Sequence, residues 1–188
     1  MIFKVNESPE LYKLNADGTD DVLFAPDVTV TTDADGKKTY YLFPNNQGGG
    51  RNSMIAKSDR PDGPFTVCNW HKERPRETFG CLGFDPAVFV DDDGRVYGYW
   101  GFGISHGAEL DPATMCTVKP GTEVVENMIS GYRQEGIFRF FEASSIRKIE
   151  DKYVFIYSRT TAEVKMACRT PATIRWHTLI ASILWVPG

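Results

Sequence analysis

The sequence has few of the residues that usually build a metal site or a disulfide framework. Its 188 residues include four cysteines and three histidines, without a Cys-x-x-Cys or His-x-x-x-His pair. These residues are Cys68, Cys81, Cys116, Cys168, His71, His106 and His177. Such spacing is most simply explained by free thiols packed as small apolar groups, and it does not favour zinc. We therefore expect no metal and no cofactor, while a bridge between Cys68 and Cys81 stays open.

The sequence also lacks an excess of positive charge and a long apolar run. It carries 21 Lys and Arg against 25 Asp and Glu, a net charge of −4. Because nothing concentrates positive charge, no nucleic-acid partner is expected. No run approaches the ~18 apolar residues of a membrane span, so no membrane partner is expected either. Residues 1–7 lack the apolar core of a signal peptide, which predicts a cytoplasmic location for the chain as written.

No segment shows sustained helical periodicity, and a repeated hairpin pattern is present instead, which indicates an all-β fold. The clearest copy runs from Phe84 to Gly101, as two strands around an Asp93-Gly94 turn. Related copies begin at Phe24 and Phe141, so the repeat is about 60 residues long. Repeats of this length, built from short strands, are typical of β-propeller blades. A β-sandwich with coincidental repeats is the alternative.

Three blades are recognisable, at about residues 22–66, 82–126 and 139–171, followed by an atypical apolar tail at 172–188. Propellers generally need at least four blades to close a ring. We therefore expect residues 1–188 to be an incomplete propeller domain of about three blades. The tail is expected to be a strand that docks on an exposed blade face, although a reading-frame error would change the composition similarly. Because open blade faces expose apolar surface, self-association through them is also expected.

Two carboxylates follow the leading aromatic residue of a repeat: Asp85 in the second and Glu142 in the third. The innermost strands of propeller blades converge on the central axis, so we expect these side chains to meet. Two carboxylates in a partly apolar funnel are suited to breaking a glycosidic bond, with one kept protonated by burial and by the neighbouring charge. The structural alternative is that both accept backbone hydrogen bonds at the blade ends.

The chain resembles glycoside hydrolase family 43 from about residue 22 to residue 158. The residues that carry the resemblance are Phe24-Ala25-Pro26-Asp27-Val28, Phe84–Gly94, Tyr99-Trp100-Gly101 and Phe141-Glu142-Ala143-Ser144-Ser145-Ile146. The resemblance implies a segment of a five-bladed β-propeller whose parent hydrolyses terminal arabinose- or xylose-type bonds of plant-type glycans with inversion. It also implies that Glu142 is the general acid and that Asp85 orients this acid and tunes its pKa.

The resemblance further implies two features that this chain does not carry. The catalytic base of the family lies on the first blade, and Glu7 and Asp20-Asp21 are poor matches for it. The last blade, which often carries a histidine near a central metal ion (calcium in some members), has no counterpart. We therefore expect the chain to correspond to blades two to four. We also expect little hydrolysis from it alone, because loss of one acid–base group costs about 10²–10⁴-fold in rate.

Four further residues are candidates for sugar binding: Asp27, Phe24, Trp100 and His106. Asp27 would either bind sugar hydroxyls or cap its own strand, and the rings of Phe24 and Trp100 would either stack on a sugar or pack inside a blade. His106, in the loop after the second aromatic strand, would reach the pocket or be structural. Two other functions stay open. One is non-catalytic carbohydrate binding, and the other is retaining fructan hydrolysis of the invertase type, whose members also place an aspartate before a proline.

Overall fold

The computed structural model describes residues 23–46, 53–150, 152–160 and 178–182, which form strands, turns and loops without a helix. The strands in these residues are β1 (Leu23–Thr32), β2 (Lys38–Asn46), β3 (Ala56–Ser58), β4 (Thr66–Val67), β5 (Ala87–Val90), β6 (Val96–Trp100), β7 (His106–Leu110), β8 (Val125–Glu126), β9 (Phe140–Ile149), β10 (Lys152–Arg159) and β11 (Thr178–Ser182). The prediction of an all-β fold is confirmed. Within the same residues there is no helix long and apolar enough to cross a membrane.

The strands form three antiparallel sheets, in each of which neighbours in sequence are neighbours in space. Sheet 1 has the order β1-β2-β3-β4, sheet 2 has the order β5-β6-β7-β8, and sheet 3 has the order β9-β10-β11. Small antiparallel sheets that follow one another along the chain are the blades of a β-propeller. The first strand of each sheet belongs to one of the three predicted hairpins.

Aspartate side chains build the turns of the first two hairpins. Oδ1 of Asp33 accepts a hydrogen bond from the N–H of Lys37 at 2.9 Å, between β1 and β2. Oδ1 of Asp93 accepts one from the N–H of Arg95 at 2.9 Å, between β5 and β6. Gly94 has a φ of 83°, which residues with a side chain rarely adopt. Each hairpin is therefore closed by residues of its own turn, as the Asp-Gly pattern predicts.

The third sheet differs from the predicted bounds at its outer edge. Its strand β11 lies inside segment 172–188, which the sequence set apart as a tail. This strand pairs with β10 between Val154↔Ser182 and Ser158↔Thr178, so it extends the edge of the sheet and does not dock on a blade face. An apolar run does not by itself distinguish these two arrangements. The end of the third predicted blade, residues 161–171, lies outside the described residues.

Sheet 2 is buried on both faces, as its second strand shows. All five residues of β6 are buried. Val96 and Trp100 pack into the cluster shared with sheet 1, whereas Tyr97 and Tyr99 pack into the cluster shared with sheet 3. Because side chains alternate across a strand, one apolar run supplies both interfaces. Glycine is required between the tyrosines, since a Cβ on Gly98 would lie 2.7 Å from a methyl carbon of a core leucine.

Sheets 2 and 3 are also joined by a polar contact at the acidic turn after β5. Lys148 Nζ lies 2.9 Å from Asp91 Oδ1 and 2.8 Å from Asp92 Oδ2. The hydroxyl of Tyr153 donates to Asp91 Oδ2. Burial alone would raise the pKa of Asp91, but the hydrogen bonds from Tyr153 and Lys148 outweigh it and lower this pKa. The neighbouring sheet thus offsets part of the negative charge of the turn.

The cysteines of the described residues are free thiols. They are Cys68, Cys81 and Cys116, so the bridge between the first two is absent. Burial raises the pKa of Cys81 to about 11 and that of Cys116 to about 12. Both therefore stay protonated and unreactive near neutral pH. The three residues are thus free thiols as predicted, but Cys68 is exposed, so its expected packing as a small apolar group is wrong.

Candidate active site where three sheets meet

The first strands of neighbouring sheets, β1 with β5 and β5 with β9, are in contact. A residue in the left-handed backbone region lies in β1 (Ala25, φ 42°), just before β5 (Asp85, φ 49°) and in β9 (Ala143, φ 56°). Non-glycine residues rarely adopt this conformation, which costs of order 1–3 kcal/mol and persists only where the surroundings impose it. The three residues therefore mark one equivalent, strained position in each sheet.

Asp85 connects the three sheets through its carboxylate. Its side chain is buried, with 7% of the residue exposed. Its Oδ1 accepts a hydrogen bond from Asn45 Nδ2 in β2 at 2.8 Å. Its carboxylate also accepts one from the N–H of Ala143 in β9. Burial raises the pKa of Asp85, and the two hydrogen bonds partly offset this rise because they favour the ionised form.

Glu142 is a half-buried residue of β9, close enough to Asp85 to feel its charge. Burial raises the pKa of Glu142, and the negative charge of Asp85 raises it further. Its own carbonyl accepts a hydrogen bond from Ser158 Oγ at 3.0 Å, which ties this part of β9 to β10. A carboxyl with a raised pKa keeps its proton to higher pH than an exposed glutamate does. The arrangement is therefore suited to proton donation.

The two carboxylates do not occupy equivalent positions, which corrects the sequence prediction. Aligning the repeats on Phe84 and Phe141 makes Asp85 equivalent to Glu142. In the backbone, however, the left-handed residue that matches Asp85 is Ala143, so Glu142 lies one residue earlier. The register between β9 and β10 is irregular where Glu142 pairs with Ser158. The alignment of the repeats could not show this offset, because a pattern of residue types does not reveal the backbone angles. The offset places a backbone N–H of β9, and not a second carboxylate, on Asp85.

Asp27 caps a strand of the neighbouring sheet as well as its own. Its Oδ2 accepts a hydrogen bond from the N–H of Val88 in β5 at 2.8 Å, and the hydroxyl of Thr29 donates to the carbonyl of Val88. Burial raises the pKa of Asp27, while the N–H groups of Val88 and Val28 and the charge of Arg147 act in the opposite direction. The capping alternative thus holds and extends to sheet 2. Sugar binding by Asp27 stays a prediction.

Trp100 and His106 form a stacked pair within sheet 2. They are cross-strand partners of β6 and β7, with ring centroids 5.5 Å apart and planes 2° apart. Trp100 is 6% exposed and packs in the core, as the packing alternative describes, and its stacking on a sugar stays a prediction.

His106 is the first residue of β7, so the prediction that it lies in a loop is wrong. Its Nε2 lies 3.8 Å from Glu126 Oε1, so its ring is engaged by Trp100 and Glu126 rather than by the two carboxylates. The strand continues to His106 because Trp100 is its register partner across the sheet. The side chain of the fourth candidate, Phe24, lies outside the described residues.

Phe102 is an exposed residue of the site that the sequence prediction missed. Its ring centroid lies 5.3 Å from that of Phe84 and 4.9 Å from that of Phe141. These neighbours directly precede Asp85 and Glu142 in the chain. Phe102 is nevertheless 53% exposed. A usable signal was the Gly-Phe-Gly sequence after an aromatic strand, because flanking glycines allow a tight turn that presents the ring.

Metal binding has no candidate site among the described residues. They contain no group of three or more His, Cys, Asp or Glu side chains that could hold an ion. The expectation that this chain needs no cofactor stays a prediction, as does the central ion implied for other family members. The groups of the site that can take part in acid–base chemistry are the carboxyl groups of Asp85 and Glu142, whose pKa values are raised.

The profile of the family described as Glycosyl hydrolases family 43 matches residues 6–175, which include both carboxylates. The chain belongs to glycosyl hydrolase family 43. The resemblance carried by the blade motifs is thereby confirmed. Family membership was visible in the sequence because the motifs occur in order, each ahead of a predicted hairpin.

Two curated family 43 relatives and one solved structure are similar to the chain. It is 31% identical over 165 residues to an arabinoxylan arabinofuranohydrolase of Bacillus subtilis (strain 168). The matched region covers 82% of this chain and 31% of that protein. The chain is 40% identical over 79 residues to the xylosidase/arabinosidase 43A of Humicola insolens, which covers 42% and 21%, respectively. The crystal structure of a family 43 arabinoxylan arabinofuranohydrolase from Bacillus subtilis with cellotetraose has a TM-score of 0.54 at 21% identity, and covers 91% of this chain and 47% of that one.

The chain spans about a third of the length of the Bacillus relative. Likeness to the solved structure shows the fold, in which the three sheets are part of a five-bladed β-propeller. The prediction of a partial propeller is therefore confirmed. Self-association through open blade faces and a cytoplasmic location stay predictions.

Proposed function

We propose that the chain is the part of an inverting glycosidase that carries the general acid, Glu142, and its supporting carboxylate, Asp85. The observation that carries the proposal is that Asp85 binds the N–H of Ala143, next to Glu142, while its charge raises the pKa of Glu142. The proposed substrates are terminal arabinose- or xylose-type bonds in plant-type glycans. The names of the two relatives support this class. The cellotetraose in the solved structure supports a carbohydrate substrate in general.

In the proposed reaction, the protonated carboxyl group of Glu142 donates its proton to the glycosidic oxygen while the bond from this oxygen to the anomeric carbon breaks. A water oxygen bonds to the same carbon from the opposite face and loses a proton to the base. The leaving group departs as a neutral alcohol, and Glu142 is left as a carboxylate that regains a proton from water. The hydrogen bonds from Asn45 and Ala143 favour ionised Asp85. The charge of Asp85 in turn favours the protonated form of Glu142 before transfer.

Inversion also requires a base that deprotonates water on the face opposite the leaving group. We propose that this base lies outside the described residues. Asp85 is occupied by Asn45 and Ala143, and Asp27 is occupied by the N–H of Val88. Neither is placed by these contacts to receive a proton from water.

Hydrolysis of aryl arabinofuranosides and aryl xylosides tests the proposed function. We expect the purified chain to be about 10²–10⁴-fold slower than an enzyme that has its base. Glu142→Gln is expected to remove the remaining turnover of a substrate with a poor leaving group. The same change should affect a dinitrophenyl glycoside much less, because its leaving group departs without a proton. The exposed carboxylate variant Glu126→Gln is the matched control.

Three outcomes separate the parts of this proposal. Ordinary turnover that Glu142→Gln abolishes would retain the acid and contradict the placement of the base. Turnover that is equal in wild type and Glu142→Gln for both leaving groups would overturn the role of Glu142. Binding of arabinose- or xylose-containing oligosaccharides without turnover, unchanged in Glu142→Gln, would favour the non-catalytic alternative.

A further inference from the structure

We propose that the three residues Gly101, Phe102 and Gly103, here called the bridge segment, are positioning residues that set the spacing between Asp85 and Glu142. The segment follows β6 directly and precedes β7. It bears neither carboxylate, yet it contacts the residue before each of them. The inference rests on the proposed function only in that the two carboxylates work as a pair.

Two backbone hydrogen bonds attach the bridge segment to the carboxylate-bearing segments. The N–H of Gly101 donates to the carbonyl of Phe84 at 2.7 Å, and the N–H of Gly103 donates to the carbonyl of Phe141 at 2.7 Å. Each carbonyl belongs to the peptide that leads into Asp85 or Glu142. Because consecutive Cα atoms lie 3.8 Å apart across a trans peptide, two bonds from residues only two positions apart hold both peptides close together.

The ring of Phe102 reinforces the same connection between sheets 2 and 3. It contacts the rings of Phe84 and Phe141 at centroid distances of 5.3 and 4.9 Å, with tilted geometries that aromatic pairs prefer. Tyr132 adds an edge-on contact to Phe141 at 5.5 Å. Since Phe102 remains 53% exposed, burial in the core does not account for its place. Its contacts are to the two residues that precede the carboxylates.

The path of the bridge segment requires glycine at both ends. Gly101 has a φ of 143° and Gly103 a φ of 73°, where residues with a side chain are rarely found. A Cβ on Gly101 would lie 1.9 Å from the carbonyl oxygen of Ile104, and one on Gly103 would lie 2.7 Å from a ring carbon of Tyr132. The segment therefore has one tight path, which suits it to fix a distance.

The consequence is a defined electrostatic coupling across the boundary between sheets 2 and 3. Coulomb energy falls with distance and with entry of water. If the bridge segment sets the spacing, loosening it weakens the effect of the Asp85 charge on Glu142. It also weakens the hydrogen bond from the N–H of Ala143 to Asp85.

Carboxyl titration in the whole chain tests the inference without requiring turnover. With ¹³C-labelled carboxyl groups, the coupling is the fall in the pKa of Glu142 caused by Asp85→Asn. We expect Phe102→Ala to reduce this fall by roughly half or more, because separation and water content both increase. Ile104→Ala, which shortens an exposed apolar residue of the same loop, should leave the fall unchanged.

Thermal unfolding monitors whether the variants remain folded, and Phe102→Leu replaces Phe102→Ala if the latter unfolds. Gly103→Ala is a second, independent way to displace the bridge segment. If Asp85→Asn lowers the pKa of Glu142 as much in the folded Phe102 and Gly103 variants as in wild type, the inference is overturned. An equal reduction in Ile104→Ala would overturn it too, because the effect would then be general loosening of the loop. Failure of the proposed function appears separately, as hydrolysis that is indifferent to Glu142→Gln.

Discussion

The side-chain amide of Asn45 donates a hydrogen bond from Nδ2 to Oδ1 of Asp85 across 2.8 Å. Asn45 is 1% exposed and belongs to sheet 1, whereas Asp85 leads into sheet 2. The bond therefore crosses a blade boundary between two buried side chains. It both orients the carboxylate and favours its ionised form.

Replacing Asn45 with alanine should destabilise the chain and raise the pKa of Asp85. A buried acceptor left without its donor costs about 1–3 kcal/mol, and the lost hydrogen bond no longer opposes the effect of burial on this pKa. Urea unfolding and carboxyl titration measure the two effects. A double-mutant cycle with Asp85→Asn isolates the pair. A coupling energy near zero would show that the bond does not contribute to stability.

Replacing Asp27 with asparagine should stabilise the chain at neutral pH and not in acid. The folded-state pKa of Asp27 is raised above 3.8, mainly by burial, so folding disfavours its charge. Asparagine keeps an oxygen for the N–H of Val88 without that charge. Well below pH 3.8 wild-type Asp27 is neutral in both states, so the difference should shrink toward zero as the pH falls through this range. Denaturation curves from pH 3 to 7 measure it, with the exposed Asp93→Asn as control.

The opposite pH dependence is expected of Glu109, whose side chain is only 4% exposed. Its Oε2 lies 2.9 Å from a guanidinium nitrogen of Arg95, and its Oε1 lies 2.6 Å from Nζ of Lys119. The hydrogen bond from Arg95 and that from Lys119 overcome burial and lower the pKa of Glu109 from 4.5 to about 2. Its contribution to stability is therefore complete above pH 4.5 and is lost as the pH falls toward 2.

Glu109→Gln tests this expectation. The variant should be less stable than wild type at pH 7, and the two should converge between pH 4.5 and 2. Glu126→Gln, at a side chain that is 70% exposed, should change little at any pH. A stability difference that persists at pH 2 would assign the effect to packing.

Two glycines of sheet 2 should respond differently to an added methyl group. A Cβ on Gly98 would lie 2.7 Å from Leu82 Cδ2 and 2.9 Å from Leu110 Cδ1, whereas one on Gly107 would meet Met128 Sδ at 2.2 Å. Methionine has a flexible end that can move, but the leucines are packed in the core. Gly98→Ala should therefore destabilise by about 1–3 kcal/mol, and Gly107→Ala by less. The reverse order in thermal unfolding would contradict this account.

Local features of the fold could be predicted because their causes lie within a few residues. The Asp-Gly turn at Asp93-Gly94 closes through its own side chain, and the β-branched and aromatic residues of Val96–Trp100 favour the strand β6. The prediction of a buried, partnered Asp85 was possible because a carboxylate at the start of an apolar strand needs a partner. The place of β11 could not be predicted, since an apolar run pairs with whichever edge the rest of the chain leaves available.

The partners of the site residues were not predictable in the same way. Asn45 lies 40 residues before Asp85, and nothing in the spacing joins them. The one-residue offset between the positions of Glu142 and Asp85 depends on the backbone angle φ of Ala143, which cannot be predicted from the residue type alone. The stacking of Trp100 on His106 was not predictable, because the sequence of an aromatic residue and a histidine is the same whether they line a pocket or pack on each other across two strands.

The contacts of Asp85 also determine when the site forms during folding. Hairpins close over short loops, which is fast. The contacts of Asp85 instead require Asn45 from the preceding repeat and Ala143 from the following one. Docking of three separately closed hairpins is a long-range event, so we expect the carboxylate pair to be assembled late. An intermediate with intact strands but undocked sheets would have all of its secondary structure and none of its acid chemistry.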